Sequence, residues 1–156
     1  MDKLSGSYQF PSITLPQYSF QLRSDEFKRP GEDFTIWFLE GVLENNPNYT
    51  DCLLYLGNAY TAVGRHEEGL KVDKRLVELR PEDPVVRYNL ACSYCLTGYV
   101  DAALKELEIS ITLGYKDIRH IETDKDLERL RGDKRYRELI ARVKRTGTVI
   151  GDKEDK

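Results

Sequence analysis

The chain has 156 residues, a third of them charged, with both signs interspersed and a net charge of only −3. That length suits one domain with a modest core, and the mixed charge argues against a nucleic-acid binder, which would be expected to show a basic face. No apolar run of about 18 residues is present to cross a bilayer, the first residues lack the basic and apolar regions of a signal peptide, and three cysteines fit a reducing compartment better than a disulfide framework. A cytoplasmic protein without a membrane partner is therefore expected.

From Leu4 to Leu22 the side chains of Tyr8, Phe10, Ile13, Leu15, Tyr18, Phe20 and Leu22 are set among Ser, Gln and Pro with almost no charge. Pro11 and Pro16 forbid a continuous helix, and Tyr18, Phe20 and Leu22 alternate as an extended strand would. So apolar an arm is expected to pack along this molecule's own helices or on another copy; the alternative is a loose terminus. Arg29-Pro30-Gly31 signals a turn. After it Asp33 can cap a helix over 33–46 that carries Phe34, Trp37, Phe38, Val42 and Leu43 and ends at Asn45-Asn46-Pro47.

The next stretch writes one pattern twice. Leu56-Gly57-Asn58-Ala59-Tyr60 returns as Leu90-Ala91-Cys92-Ser93-Tyr94, and Gly64, Leu70, Val77 and Leu79 return as Gly98, Leu104, Ile111 and Leu113, every pair at the same offset. Leu53, Leu56, Tyr60 and Val63 lie three or four apart and line one helix face. Gly57 and Ala59 are small enough for a neighbouring helix to come close. Gly64 ends the first helix, His66 to Leu79 forms the second, and Pro81 closes the unit. The following unit places Pro84 at its start, Gly98 at its internal turn and Gly114 at its close. Neither hairpin can bury its apolar face alone, so stacking is required.

The period and the small-residue-then-Tyr signature resemble the tetratricopeptide repeat, a helix-turn-helix unit of about 34 residues. The resemblance implies an all-α fold, a short right-handed α-solenoid with units at 50–81 and 84–115. In the same register Pro47 matches Pro81, so helix 33–46 takes the place of the second helix of a preceding unit. Leu22 stands where Leu56 and Leu90 stand, but Arg23 replaces the small residue and Glu26 the tyrosine, leaving 1–32 as arm plus degenerate first unit.

Past Gly114 the period breaks. Asp124-Lys125-Asp126-Leu127-Glu128-Arg129-Leu130-Arg131 and Asp133-Lys134-Arg135-Tyr136-Arg137-Glu138-Leu139 resemble the ending that follows the last repeat in some bacterial tetratricopeptide proteins. Residues 116–145 are expected to cover the solenoid's open end through Ile118, Ile121, Leu127, Leu130, Tyr136, Leu139, Ile140 and Val143, and 146–156 to be a disordered tail.

Catalytic signals are absent: no Gly-rich phosphate loop, Ser-His-Asp arrangement or His-x-x-x-His pair appears, and the carboxylates fall at helix starts and on exposed faces. An enzyme and a cofactor are not expected. Cys92-Ser93-Tyr94-Cys95 is the one motif that hints at metal or thiol chemistry. Structural zinc needs four ligands, the remaining Cys52, His66 and His120 have no recognisable spacing, and a redox pair normally opens a helix rather than sitting inside one.

The resemblance further implies that the first helix of each unit lines a concave groove, with Asp51, Leu54, Asn58, Thr61 and Ala62 from one unit and Val85, Tyr88, Asn89, Cys92, Cys95 and Leu96 from the next, whereas Leu53, Leu56, Tyr60, Leu90 and Tyr94 are core. Asn58 and Asn89 match the asparagines with which some members hold a terminal carboxylate, but Leu54 stands in place of the first lysine and that clamp is incomplete. A weakly polar groove with Tyr88 as anchor suits an extended apolar or aromatic peptide. The expected function is a non-catalytic adaptor or scaffold that binds a protein segment; the alternative is a homodimer in which the N-terminal arm fills the groove.

Overall fold

The computed structural model describes residues 31–151, with side chains described for 34–145. Among them the chain is all-α: α1 (Gly31–Asn45), α2 (Thr50–Ala62), α3 (His66–Leu79), α4 (Pro84–Leu96), α5 (Val100–Thr112), α6 (Ile118–Thr123), a 3-10 helix (Lys125–Leu130) and α7 (Lys134–Gly151). From α1 to α5 each helix packs on its successor, and the 3-10 helix then folds back onto α4. Adjacent pairing of this kind is compatible with an α-solenoid.

Local chemistry sets the helix ends. Asp83 caps α4, its Oδ1 accepting from the backbone N–H of Val85 at 2.9 Å and of Val86 at 3.3 Å, with Pro84 in the first turn, where no N–H is needed. The turns after α2 and α4 are the same object. Gly64 and Gly98 have φ of 78° and 89°, and the residues after them donate back five positions, Arg65 to the Tyr60 carbonyl and Tyr99 to the Tyr94 carbonyl, both at 2.8 Å. Glycine takes this left-handed conformation without steric cost.

Two boundaries differ from expectation. Helix α1 begins at Gly31, so Asp33 lies within its first turn rather than capping it. Helix α7 continues to Gly151 instead of stopping at 145, because extending a formed helix costs far less than starting one. The arm and the degenerate first unit lie outside the described residues.

The core follows the repeat and then the cap. Ile36 of α1 packs with Leu56 and Tyr60; Leu53, Leu76 and Val86 join α2, α3 and α4. The largest cluster runs from Ala91 and Cys95 through Ala103 and Leu107 into Ile121, Leu127 and Leu130, all fully buried, and on to Tyr136, Leu139 and Ile140, with Ile118 and Val143 packed against it. All eight cap residues expected to seal this end therefore take part. Of the expected core residues in the first helix of each unit, Leu53, Leu56, Tyr60 and Leu90 are buried and Tyr94 is half-buried.

One buried polar group links three helices. Asp73 of α3 is 4% exposed; its Oδ2 accepts from the Ser93 hydroxyl of α4, and a Cβ built on Gly57 of α2 would lie 2.7 Å from its Oδ1. Gly57 is glycine because a carboxylate occupies the space its side chain would need. Burial raises the Asp73 carboxyl from 3.8 to about 6, with the Ser93 hydrogen bond opposing the shift.

Candidate functional site

The residues expected to line a groove divide into an open set and a covered set. On α2, Asp51, Asn58 and Ala62 are exposed and Leu54 and Thr61 half-buried; on α4, Val85 is exposed and Asn89 and Leu96 are half-buried. By contrast Tyr88, Cys92 and Cys95 are 4%, 8% and 0% exposed. As surface-lining residues these three are corrected: α6 and the 3-10 helix lie over them and take them into the core.

The geometry of the cover is specific. The Tyr88 ring stacks on Tyr115 with centroids 4.4 Å apart and planes 8° apart, and its hydroxyl donates to Asp124 Oδ2 at 2.6 Å. Asp124 is a junction: its Oδ2 also faces His120 Nε2 at 3.4 Å and the Cys92 thiol at 3.9 Å, while its Oδ1 accepts from the Asp126 N–H at 3.0 Å, which starts the 3-10 helix. Arg131 donates to the Asp124 carbonyl at 2.7 Å. Burial drives the Tyr88 phenol well above its ordinary range, so its hydroxyl stays a donor to Asp124.

The same surroundings act on the two thiols of the Cys92-x-x-Cys95 motif. Burial, and then the charge of Asp124, pushes the Cys92 thiol well up, and burial raises Cys95 as well. A thiolate is the species that attacks or ligates, and this environment disfavours it. Among the described residues no group of three or more His, Cys, Asp or Glu side chains is placed to hold a metal ion.

The open side has an aromatic that the residue pattern did not single out. Tyr55 is 65% exposed, the most exposed large hydrophobic side chain among the described residues, and Val85 is 47% exposed. Tyr55 follows Asp51 by four residues and precedes Asn58 by three, so it shares their helix face; that spacing was the available signal. Asp51 is engaged by Arg80 Nη2 at 3.5 Å. At the inner edge of α2, Tyr60 donates its hydroxyl to Glu40, Arg65 lies 4.6 Å over its ring, and the phenol is raised to about 12 by burial and by Glu40. Tyr60 is thus a structural tie between α1 and α2, not part of the open surface.

Comparison with known proteins agrees with this architecture. The chain is 34% identical over 87 residues to a chloroplastic protein of Arabidopsis thaliana, covering 54% of this chain and 26% of that protein. It is 31% identical over 109 residues to the peroxisomal targeting signal receptor of Komagataella phaffii, covering 67% of this chain and 19% of the receptor. It is 35% identical over 104 residues to Superkiller protein 3 of Saccharomyces cerevisiae, covering 67% of this chain and 7% of that protein. No family model matches. The chain thus spans about a quarter of the length of the first of these relatives and less of the other two. These similarities and the all-helical fold are consistent with tetratricopeptide-like helical repeats. No helix among the described residues is long and apolar enough to cross a membrane.

Proposed function

We propose that this chain is a non-catalytic adaptor whose open α2 face, with the rim of α4, holds an extended peptide segment of another protein. The observation that carries this reading is the inequality of matched positions. Asp51, Asn58 and Ala62 are exposed, whereas Cys92, which matches Asn58 in the following unit, is buried under the cap. Displacing the cap would expose Ile121, Leu127 and Leu130, which are fully buried, so the closed half does not reopen for a ligand. The partner segment is short, seated by Tyr55, Leu54, Asn58, Val85 and Asn89. The similarity to a protein named as a targeting signal receptor supports a signal segment of another protein as the kind of ligand.

Peptides selected from a random display library on the intact chain provide the test. A selected peptide, measured by fluorescence anisotropy, is expected to bind about tenfold or more weakly to Tyr55→Ala and to Asn58→Ala, as central interface residues do. No enrichment, or equal affinity in both variants, removes the groove from consideration.

A second reading keeps the arm. The exposed Tyr55 and Val85 of the groove suit the apolar segment Tyr8 to Leu22 of a second copy. Deleting residues 1–22 is then expected to convert a dimer to a monomer in light scattering; a mass per particle that stays at one chain with and without the arm ends this alternative.

A further inference from the structure

We propose that the outward face of α7 is a second interaction surface, which takes an acidic polypeptide segment carrying an apolar side chain. The chain as a whole is at −3, yet between Lys134 and Arg145 it holds Lys134, Arg135, Arg137, Arg142, Lys144 and Arg145 against the single acid Glu138. Positive charge is thus concentrated in one run of the sequence, and that run forms α7. Part of this charge is answered from within: Arg135 meets Asp101 and Asp133, each at 2.8 Å, Arg142 meets Glu108, and Lys144 meets Glu122 at 2.7 Å. Arg137 and Arg145 are exposed and make no ion pair among the described residues. At 100° per residue, Arg137, Ala141, Lys144 and Arg145 fall within about 100° of the helix surface.

Beside this stripe is a cleft of about 250 Å³ between α6 and α7, lined by Tyr136, Ile140 and Ala141 with Arg137, Lys144 and Glu122 around it. It offers an apolar floor beside cations, which matches an aliphatic or aromatic side chain flanked by carboxylates. Charge complementarity selects the acidic partner. A lipid surface is disfavoured because, among the described residues, α7 has no exposed large apolar side chain to insert. A nucleic-acid backbone is disfavoured because Arg137 and Arg145, with Glu122 close to the first of them, neutralise few phosphates.

The probe is a labelled octapeptide of sequence Glu-Glu-Leu-Glu-Glu-Leu-Glu-Glu, compared with the same peptide carrying Gln for Glu and with a single-stranded oligonucleotide. The intact chain is expected to bind the acidic peptide in preference to both controls. Arg137→Glu/Arg145→Glu, two exposed changes that leave the circular dichroism unaltered, is expected to weaken binding about tenfold or more, and Tyr55→Ala is expected to bind as the parent does. Absence of binding to the acidic peptide, equal binding by the double variant, or preference for the oligonucleotide overturns the proposal. Loss of binding in Tyr55→Ala also overturns it, since the peptide would then be in the α2 groove. Retention in Tyr55→Ala with loss in the double variant separates the two surfaces.

Discussion

Tyr88→Ala is expected to destabilise the chain by about 4 kcal/mol, the largest loss among the substitutions considered. The change removes a ring that is 4% exposed, the stack on Tyr115 at 4.4 Å and the donor to Asp124 at 2.6 Å. Truncating a buried aromatic costs roughly 3–5 kcal/mol, and here the Asp124 carboxylate also loses a partner in partly buried surroundings. Tyr88→Phe keeps the ring and loses only the hydroxyl, so about 1–2 kcal/mol is expected. Urea unfolding of the three proteins, read as midpoint at constant slope, gives the comparison. Hydrogen exchange in 118–130 is expected to rise most, since those residues lie over the lost ring. A Tyr88→Ala loss below about 1 kcal/mol, outside the range for buried aromatics, would show that the cap is held without this tyrosine.

The second large effect concerns Asp73, and its sign depends on pH. Burial raises the carboxyl from 3.8 to about 6, so the folded chain holds a proton that the unfolded chain has released. Stability from this group is fully present below pH 3.8 and declines as pH rises through about 6. The interval corresponds to roughly 3 kcal/mol. Asp73→Asn keeps the shape and an oxygen for the Ser93 hydroxyl but cannot ionise. The stability difference, variant minus parent, is therefore expected to climb by about 3 kcal/mol between pH 3 and pH 7 and to be level outside that window. Guanidinium or urea titrations at a series of pH values provide it. A difference that is flat from pH 3 to pH 7 would mean that water reaches the carboxylate and that burial does not govern it.

Asp73 also shows why some of the structure is illegible in the sequence. Pattern alone assigns the carboxylates to helix starts and exposed faces, yet Asp73 occupies the place that Leu107, an apolar core residue, takes in the following unit. The matching asymmetry is on the other side of the contact: Ser93 occupies the place that Ala59 takes in the preceding unit. A polar pair replaces an apolar one, and seeing it requires knowing that α3 and α4 face each other at those two residues. Gly57, by contrast, is readable as a close approach, and Asp73 proves to be what approaches it.

The candidate site divides in the same way. The open positions on α2 follow from helical spacing together with the repeat register, and the same spacing contains Tyr55. The burial of Tyr88, Cys92 and Cys95 does not follow, because register treats the two units as equivalent. What makes them different is a segment beyond the last repeat, and the bond from Tyr88 to Asp124 joins positions far apart in the chain.

What the sequence determined by itself was local and periodic: helices and their turns, the repeating hairpin unit, and the eight apolar residues that seal the C-terminal end. A helix face is encoded by spacing within a few residues, and a left-handed turn by one glycine. Only the tertiary structure decided that Tyr88, Cys92 and Cys95 are covered and that Asp73 is buried. Each of those depends on which distant side chain fills a given volume, and close packing settles that once the whole chain has come together.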